Sequence, residues 1–161
     1  MQSPEELASA LAEPAISHIQ MPVNILDDRW DELVPEIQRV RSTRELVIHA
    51  RSALLQGLLV SDDASKWKRA HVDDPMEARR WIVDAAAAYT GGDSVGLCLN
   101  LVRSLDWVDG VVVGMDDIEQ LKANLQVFSG PALSAEAQRA LSETRPTIPR
   151  ATLNPASWCM E

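Results

Sequence analysis

Apolar positions along the chain alternate between two rhythms, one helical and one extended. Leu7 and Leu11, a turn apart with alanines between, give one apolar face to a helix. Ser3-Pro4-Glu5-Glu6 opens it: Ser3 caps, Pro4 suits the first helical position and Glu6 completes a capping box. Pro14 stops it. Ile16 to Met21 then alternates, with Ile16, His18 and Gln20 on one face and Ser17, Ile19 and Met21 on the other, which predicts a strand ended by Pro22. The helical rhythm returns from Asp28 to Arg41 through Trp30, Leu33, Ile37 and Val40, with Pro35 bending or delaying it. Leu46, Val47 and Ile48 form the apolar run of a second strand over Glu45–Ala50. Residues 60–74 are polar and charged and predict a long surface loop with one helical turn.

Asp74-Pro75 begins a helix that runs to Thr90 and ends at Gly91-Gly92. Asp93 caps the next, Ser94 to Leu105. Asp109-Gly110 is a turn, and Val111 to Val113 predicts a third, fully buried strand. Asp116 or Asp117 caps a helix over Ile118–Phe128, and another spans Ala135–Glu143. From Arg145 onward, Pro146, Pro149 and Pro155 predict an irregular tail. Strands separated by helices of this length form parallel βα units, so the fold class is α/β.

Length and charge narrow the picture. At 161 residues the chain is one domain's worth and falls short of the roughly 250 residues of a complete eight-stranded βα barrel. Its net charge of -9 repels phosphate backbones and argues against nucleic acid as a partner. No apolar run approaches the ~18 residues of a membrane span. The first residues carry Glu5, Glu6 and Glu13 without Lys or Arg, unlike a secretory or transit leader, so the cytoplasm is the expected compartment. Cys98 and Cys159 have no metal-ligand spacing and make no disulfide framework.

Chemistry in parallel α/β folds gathers at the carboxyl ends of strands. Three such ends exist here: Gln20–Asn24, Arg51–Gly57 and Gly114–Asp117. They read either as ordinary turns or as one site. At the third, Gly114 permits close backbone approach, and the helix after it presents free N–H groups suited to an anion. Gln120 and Asn124 stand one turn apart on that helix, where both amides can meet a purine edge. Familiar catalytic sets are missing. Tyr89 reads as core, His18, His49 and His71 as structural, and no metal set or dinucleotide, phosphate-loop or nucleophile-elbow motif occurs.

Residues 19–27 (IQMPVNILD), 50–59 (ARSALLQGLL) and 113–125 (VGMDDIEQLKANL) resemble, in order and spacing, successive signatures of the aldo/keto reductases. The resemblance implies a partial (β/α)8 (TIM) barrel with about three parallel strands and surrounding helices. It spans residues 1–144 as the C-terminal half of such a barrel, the sixth to eighth βα units, with 145–161 as the tail. Family members transfer a hydride between a nicotinamide dinucleotide and a carbonyl or alcohol. Their catalytic Asp, Tyr, Lys and His come from the other half, so no catalytic residue is assigned here.

Cofactor positions carry over. By the resemblance, Gln20 meets the nicotinamide carboxamide and Arg51 stacks on the ring. Ser52, Leu54 and Gly57 hold the pyrophosphate, and Gly114, Gln120 and Asn124 surround the adenosine. Members that prefer NADP commonly have Ser, Arg or Lys beside the ribose 2'-phosphate; this chain has Asp116 and Asp117. A carboxylate about 4 Å from a phosphate charge opposes it by roughly 4 kcal/mol at an effective dielectric near 20. The acidic residue that the family places before the last Asn is Ala123 here. The expected cofactor is NAD or NADP, with NAD weakly preferred. Function then reads as a reductase fragment that reduces carbonyls only if the missing half is supplied, with a chain carrying the N-terminal half-barrel, or a homo-oligomer covering the open apolar face, as the expected partner. The alternative is a non-catalytic truncated or decayed reductase acting as a binding or interaction module.

Overall fold

The computed structural model describes residues 1–159; the last two tail positions, Met160 and Glu161, lie outside the described residues. Three strands form one sheet in the order β1 (His18–Pro22), β2 (Val47–Arg51) and β3 (Gly110–Val111), all parallel. Helix α1 (Pro4–Ala12) precedes β1, and α2 (Val34–Arg41) crosses from β1 to β2. Helices α3 (Ala64–Arg69), α4 (Met76–Tyr89) and α5 (Ser94–Ser104) lie between β2 and β3. Helices α6 (Ile118–Ser129) and α7 (Ala135–Thr144) follow. This is a partial (β/α)8 barrel of the α/β class.

Local chemistry fixes the element boundaries. The Ser3 hydroxyl accepts the Glu6 N–H at 3.3 Å, and Glu6 accepts the Gln2 N–H at 2.7 Å. Asp93, Asp117 and Ser134 cap α5, α6 and α7 through their side-chain oxygens. Pro35 delays the second helix: the chain makes a 3-10 turn over Asp31–Leu33, and α2 begins with Pro35 in its first turn. There the missing proline N–H has no partner to lose.

One face of the sheet builds a core. Ile19, Met21, Ile48 and Ala50 are buried with Leu7 and Leu11 of α1, Ile37 and Val40 of α2, and Leu99 and Val102 of α5. A second core lies away from the sheet among α3, α4, α5 and α7, centred on Trp67, Ile82, Leu97 and Leu141. Helix α5 serves both. Between β1 and α2, the buried Asp27 carboxylate takes two hydrogen bonds from the Arg29 guanidinium, at 2.8 and 2.7 Å, and one from the Trp30 indole at 3.1 Å. Arg29 also donates to the carbonyls of Gln2 and Leu153, so this charge pair joins both ends of the chain.

Four expectations need correction or refinement. Residues 60–74 are the mostly exposed loop with one short helical element that the pattern predicts, but they are not surface throughout. Trp67 of α3 is completely buried and its indole donates to the Ser61 carbonyl, which anchors the segment in the second core. Tyr89 is the last residue of α4 and exposed. The third strand is neither long nor fully buried. Only Gly110 and Val111 pair with β2, and Val112 is 48% exposed. Asp109 extends this ladder rather than turning: its N–H donates to the Ile48 carbonyl and its carboxylate accepts the Ile48 N–H. Beyond α7, two 3-10 turns, Arg150–Leu153 and Pro155–Ser157, dock against α3, where the buried Thr152 hydroxyl donates to the Ala70 carbonyl at 2.6 Å.

Candidate functional site

The chain leaving β2 turns through a run of left-handed backbone. Ser52, Leu55, Gln56 and Gly57 have φ of 62°, 47°, 56° and 74°. Three of the four are not glycine, which costs of order 1 kcal/mol or more at each such position. Leu55 is held by complete burial and by the bond from its N–H to the Ser52 carbonyl at 2.8 Å. The N–H groups of Ala53, Leu54, Gln56 and Gly57 have no hydrogen-bond partner among the described residues. Successive free N–H groups in a left-handed turn are a fixed array of positive dipole ends.

Beyond β3, Gly114 leads into α6. Asp117 caps the helix by accepting the Gln120 N–H at 2.8 Å. The Gln120 amide is spent locally: Oε1 accepts the Asp116 N–H at 3.0 Å and Nε2 donates to Asp117 at 3.2 Å. One turn on, Asn124 is 9% exposed, and its amide has no partner among the described residues. The residue is buried as a whole, but its amide atoms reach solvent within the cleft, where they are free to meet a ligand.

These pieces surround one cleft of about 790 Å³. Ser52, Leu54, Gly57, Gly114, Asp116, Gln120 and Asn124 line it, with an apolar floor from Leu55, Leu99, Val113 and Val127. An added Cβ at Gly57 or Gly114 would meet nothing within 4 Å, so both glycines open onto free space. Asp93, read from the sequence only as a helix cap, also lines the cleft. Its helix is brought beside the β2 loop by tertiary packing, which no local pattern announces.

Gln20 and Arg51 lie outside the cleft. Gln20 is exposed on the sheet face opposite the core, and its carbonyl accepts the Met1 amine at 2.9 Å. Arg51 donates to the Met1 carbonyl at 3.3 Å and to the Ser52 hydroxyl at 3.4 Å. On that same face the His18 and His49 rings meet edge to face, 5.9 Å apart. Among the described residues no group of three or more His, Cys, Asp or Glu is placed to hold a metal ion. Burial in α5 pushes the Cys98 thiol up to about 12, because the thiolate would lose its water there. Among the described residues no helix is long and apolar enough to cross a membrane. A second cavity of about 380 Å³ lies between the tail and the β1–α2 loop, where Arg145 and Arg150 are already paired with Asp31 and Asp28.

No family model and no curated protein matches the sequence. Solved structures do match the fold. An aldo-keto reductase from Bacillus halodurans, in its apo form, superposes on 91% of this chain with a TM-score of 0.68 and 23% sequence identity. The holo form of that protein gives a TM-score of 0.67 at the same identity. The chain spans about half of the length of these relatives, 50% and 49%. The likeness in fold falls on the family that the three sequence segments resemble.

Proposed function

We propose that the cleft binds the adenosine and phosphate portion of a nicotinamide dinucleotide, and that the chain is the cofactor-holding half of a carbonyl-reducing oxidoreductase. The observation that carries the reading is the meeting, in one cleft, of the Asn124 amide, which makes no hydrogen bond within the described chain, with the free N–H groups of Ala53, Leu54, Gln56 and Gly57. An amide that both donates and accepts matches an adenine edge. Backbone N–H groups match phosphate oxygens. Ser52, Leu54 and Gly57 would hold the phosphates, Gly114 and Asn124 the adenosine, and Gln120 would fix the turn that carries Asp116.

Such a dinucleotide supplies a hydride for carbonyl reduction when bound. The residues assigned above bind and orient it; no residue of this chain is assigned the accompanying proton transfer. Activity therefore calls for a further polypeptide portion that supplies the remaining strands, and the cytoplasm is the compartment proposed. Gln20 and Arg51 would reach the nicotinamide end. The second reading is a non-catalytic binding or interaction module, in which the cleft holds its ligand without the strands that would complete a reductase.

Titration calorimetry of the protein with NAD and with NADP tests the binding. Saturable binding with a weak preference for NAD, roughly two- to tenfold over NADP, is the expected result; no binding of either sinks the proposal. Steady-state turnover of an aldehyde panel separates the two readings. The chain alone is expected to be inactive, and activity without an added half would overturn the need for one.

A further inference from the structure

Two acidic residues, Asp93 and Asp116, line the cleft, and among the described residues no Lys, Arg or His lines it. Sites for phosphorylated ligands ordinarily add cationic side chains to backbone dipoles. Here the positive partners among the described lining residues are backbone N–H groups, those of the β2 loop foremost.

Asp93 is held in place. Its Oδ1 accepts the Gly96 N–H at 2.9 Å, and its Oδ2 lies where a Cβ at position 96 would come within 2.4 Å. Glycine at 96 thus lets the carboxylate lie over the first turn of α5. The cap is needed for the helix, but a neutral Asn caps as well as Asp. The negative charge is therefore an extra feature, set in the cleft that the solvent-reached Asn124 amide also lines.

We propose that Asp93 is a specificity-determining residue of this cleft, acting with Asp116 to favour ligands with free ribose hydroxyls and to penalise each added phosphate. The proposal rests on the nucleotide reading above. A carboxylate accepts hydrogen bonds from ribose hydroxyls and repels phosphate charge. For like charges about 8 Å apart, the repulsion weakens binding from about twofold in a water-like medium to about thirtyfold at an effective dielectric of 20.

The test uses the full chain and its Asp93→Asn and Asp93→Ser variants, both of which keep a capping oxygen. Dissociation constants for adenosine, NAD and NADP are measured at about 20 mM and about 300 mM salt. Both variants are expected to tighten NADP about fivefold, NAD by less, and adenosine not at all. In the wild type, added salt is expected to tighten NADP, the reverse of the usual trend for phosphorylated ligands. An NADP to NAD ratio unchanged in both variants, or adenosine tightened equally, overturns the role of Asp93 while leaving the nucleotide reading standing. Failure of the wild-type chain to bind all three ligands overturns that reading and this proposal with it.

Discussion

The two sides of the sheet carry similar apolar sequence and meet different fates. On the β1 side, five residue pairs join β1 to β2, and Ile19, Met21 and Ile48 are buried under α1 and α2. On the β3 side, two pairs join β3 to β2. Val112 is exposed, and α6, with twelve residues, buries only Asn124 while Ile118 and Leu125 stand more than half exposed. An apolar run states what a side chain prefers, whereas burial needs a neighbour to supply it. The β3 edge is thus covered less fully than the β1 edge. The cleft lies at this less covered edge, bounded by β3 and α6.

The strongest way to break this comparison is to strike the packed side. Asp27→Ala leaves Arg29 buried without its counter-charge and is expected to cost about 3–5 kcal/mol of unfolding free energy. Leu125→Ala on α6 is expected to change it by less than about 0.5 kcal/mol. Urea denaturation of both variants decides, and equal losses would erase the distinction.

A subtler probe is alkaline stability. Cys98 stays neutral in the fold until about pH 12 but ionises near pH 9 when unfolded. Its raised folded value means that its contribution is intact below pH 9 and lost as pH rises toward 12. By pH 10 this costs about 1.4 kcal/mol, a loss that Cys98→Ala should lack when the two pH profiles are compared. A Cys98→Ala profile that falls as steeply as the wild type would remove the assignment.

The smallest expected effect falls on the open side. Asn124→Ala should weaken NAD about fivefold, the worth of about 1 kcal/mol of hydrogen bonding, with the melting temperature nearly unchanged. Calorimetry beside a thermal melt checks both. A large drop in melting temperature with unchanged affinity would make Asn124 a packing residue instead.

Much of the fold was legible because helix caps and strand alternation are local. Ser3, Asp93 and Asp117 cap the helices they were expected to open, and β1 and β2 fall within two residues of their expected spans. What failed was non-local. The run Val111–Val113 looks buried in isolation, but its exposure depends on what stands beside β3. Trp67 sits in a stretch whose charges advertise solvent, and its burial depends on a core built by residues far along the chain. At the cleft, seven of the nine positions assigned by the sequence resemblance are brought together. Asp93 was missed as a lining residue because a capping Asp looks the same wherever its helix points. That the Gln120 amide closes on its own cap depends on rotamers, which spacing leaves undetermined.

The sheet's connectivity also bears on how the cleft is completed. Strand β2 reaches β1 across the short α2 crossover, whereas β3 reaches β2 only after α3, α4 and α5 have been laid down. Closing the longer loop costs little extra entropy, about 0.6 kcal/mol for each doubling of length. With only two residue pairs to repay it, β3 is the strand with least to gain from early docking. The cleft borrows its far wall from β3 and α6, so it is complete only once that weakly paired edge is docked. A ligand that fills it acts as a latch on that edge, holding closed the part of the molecule that its own packing secures least.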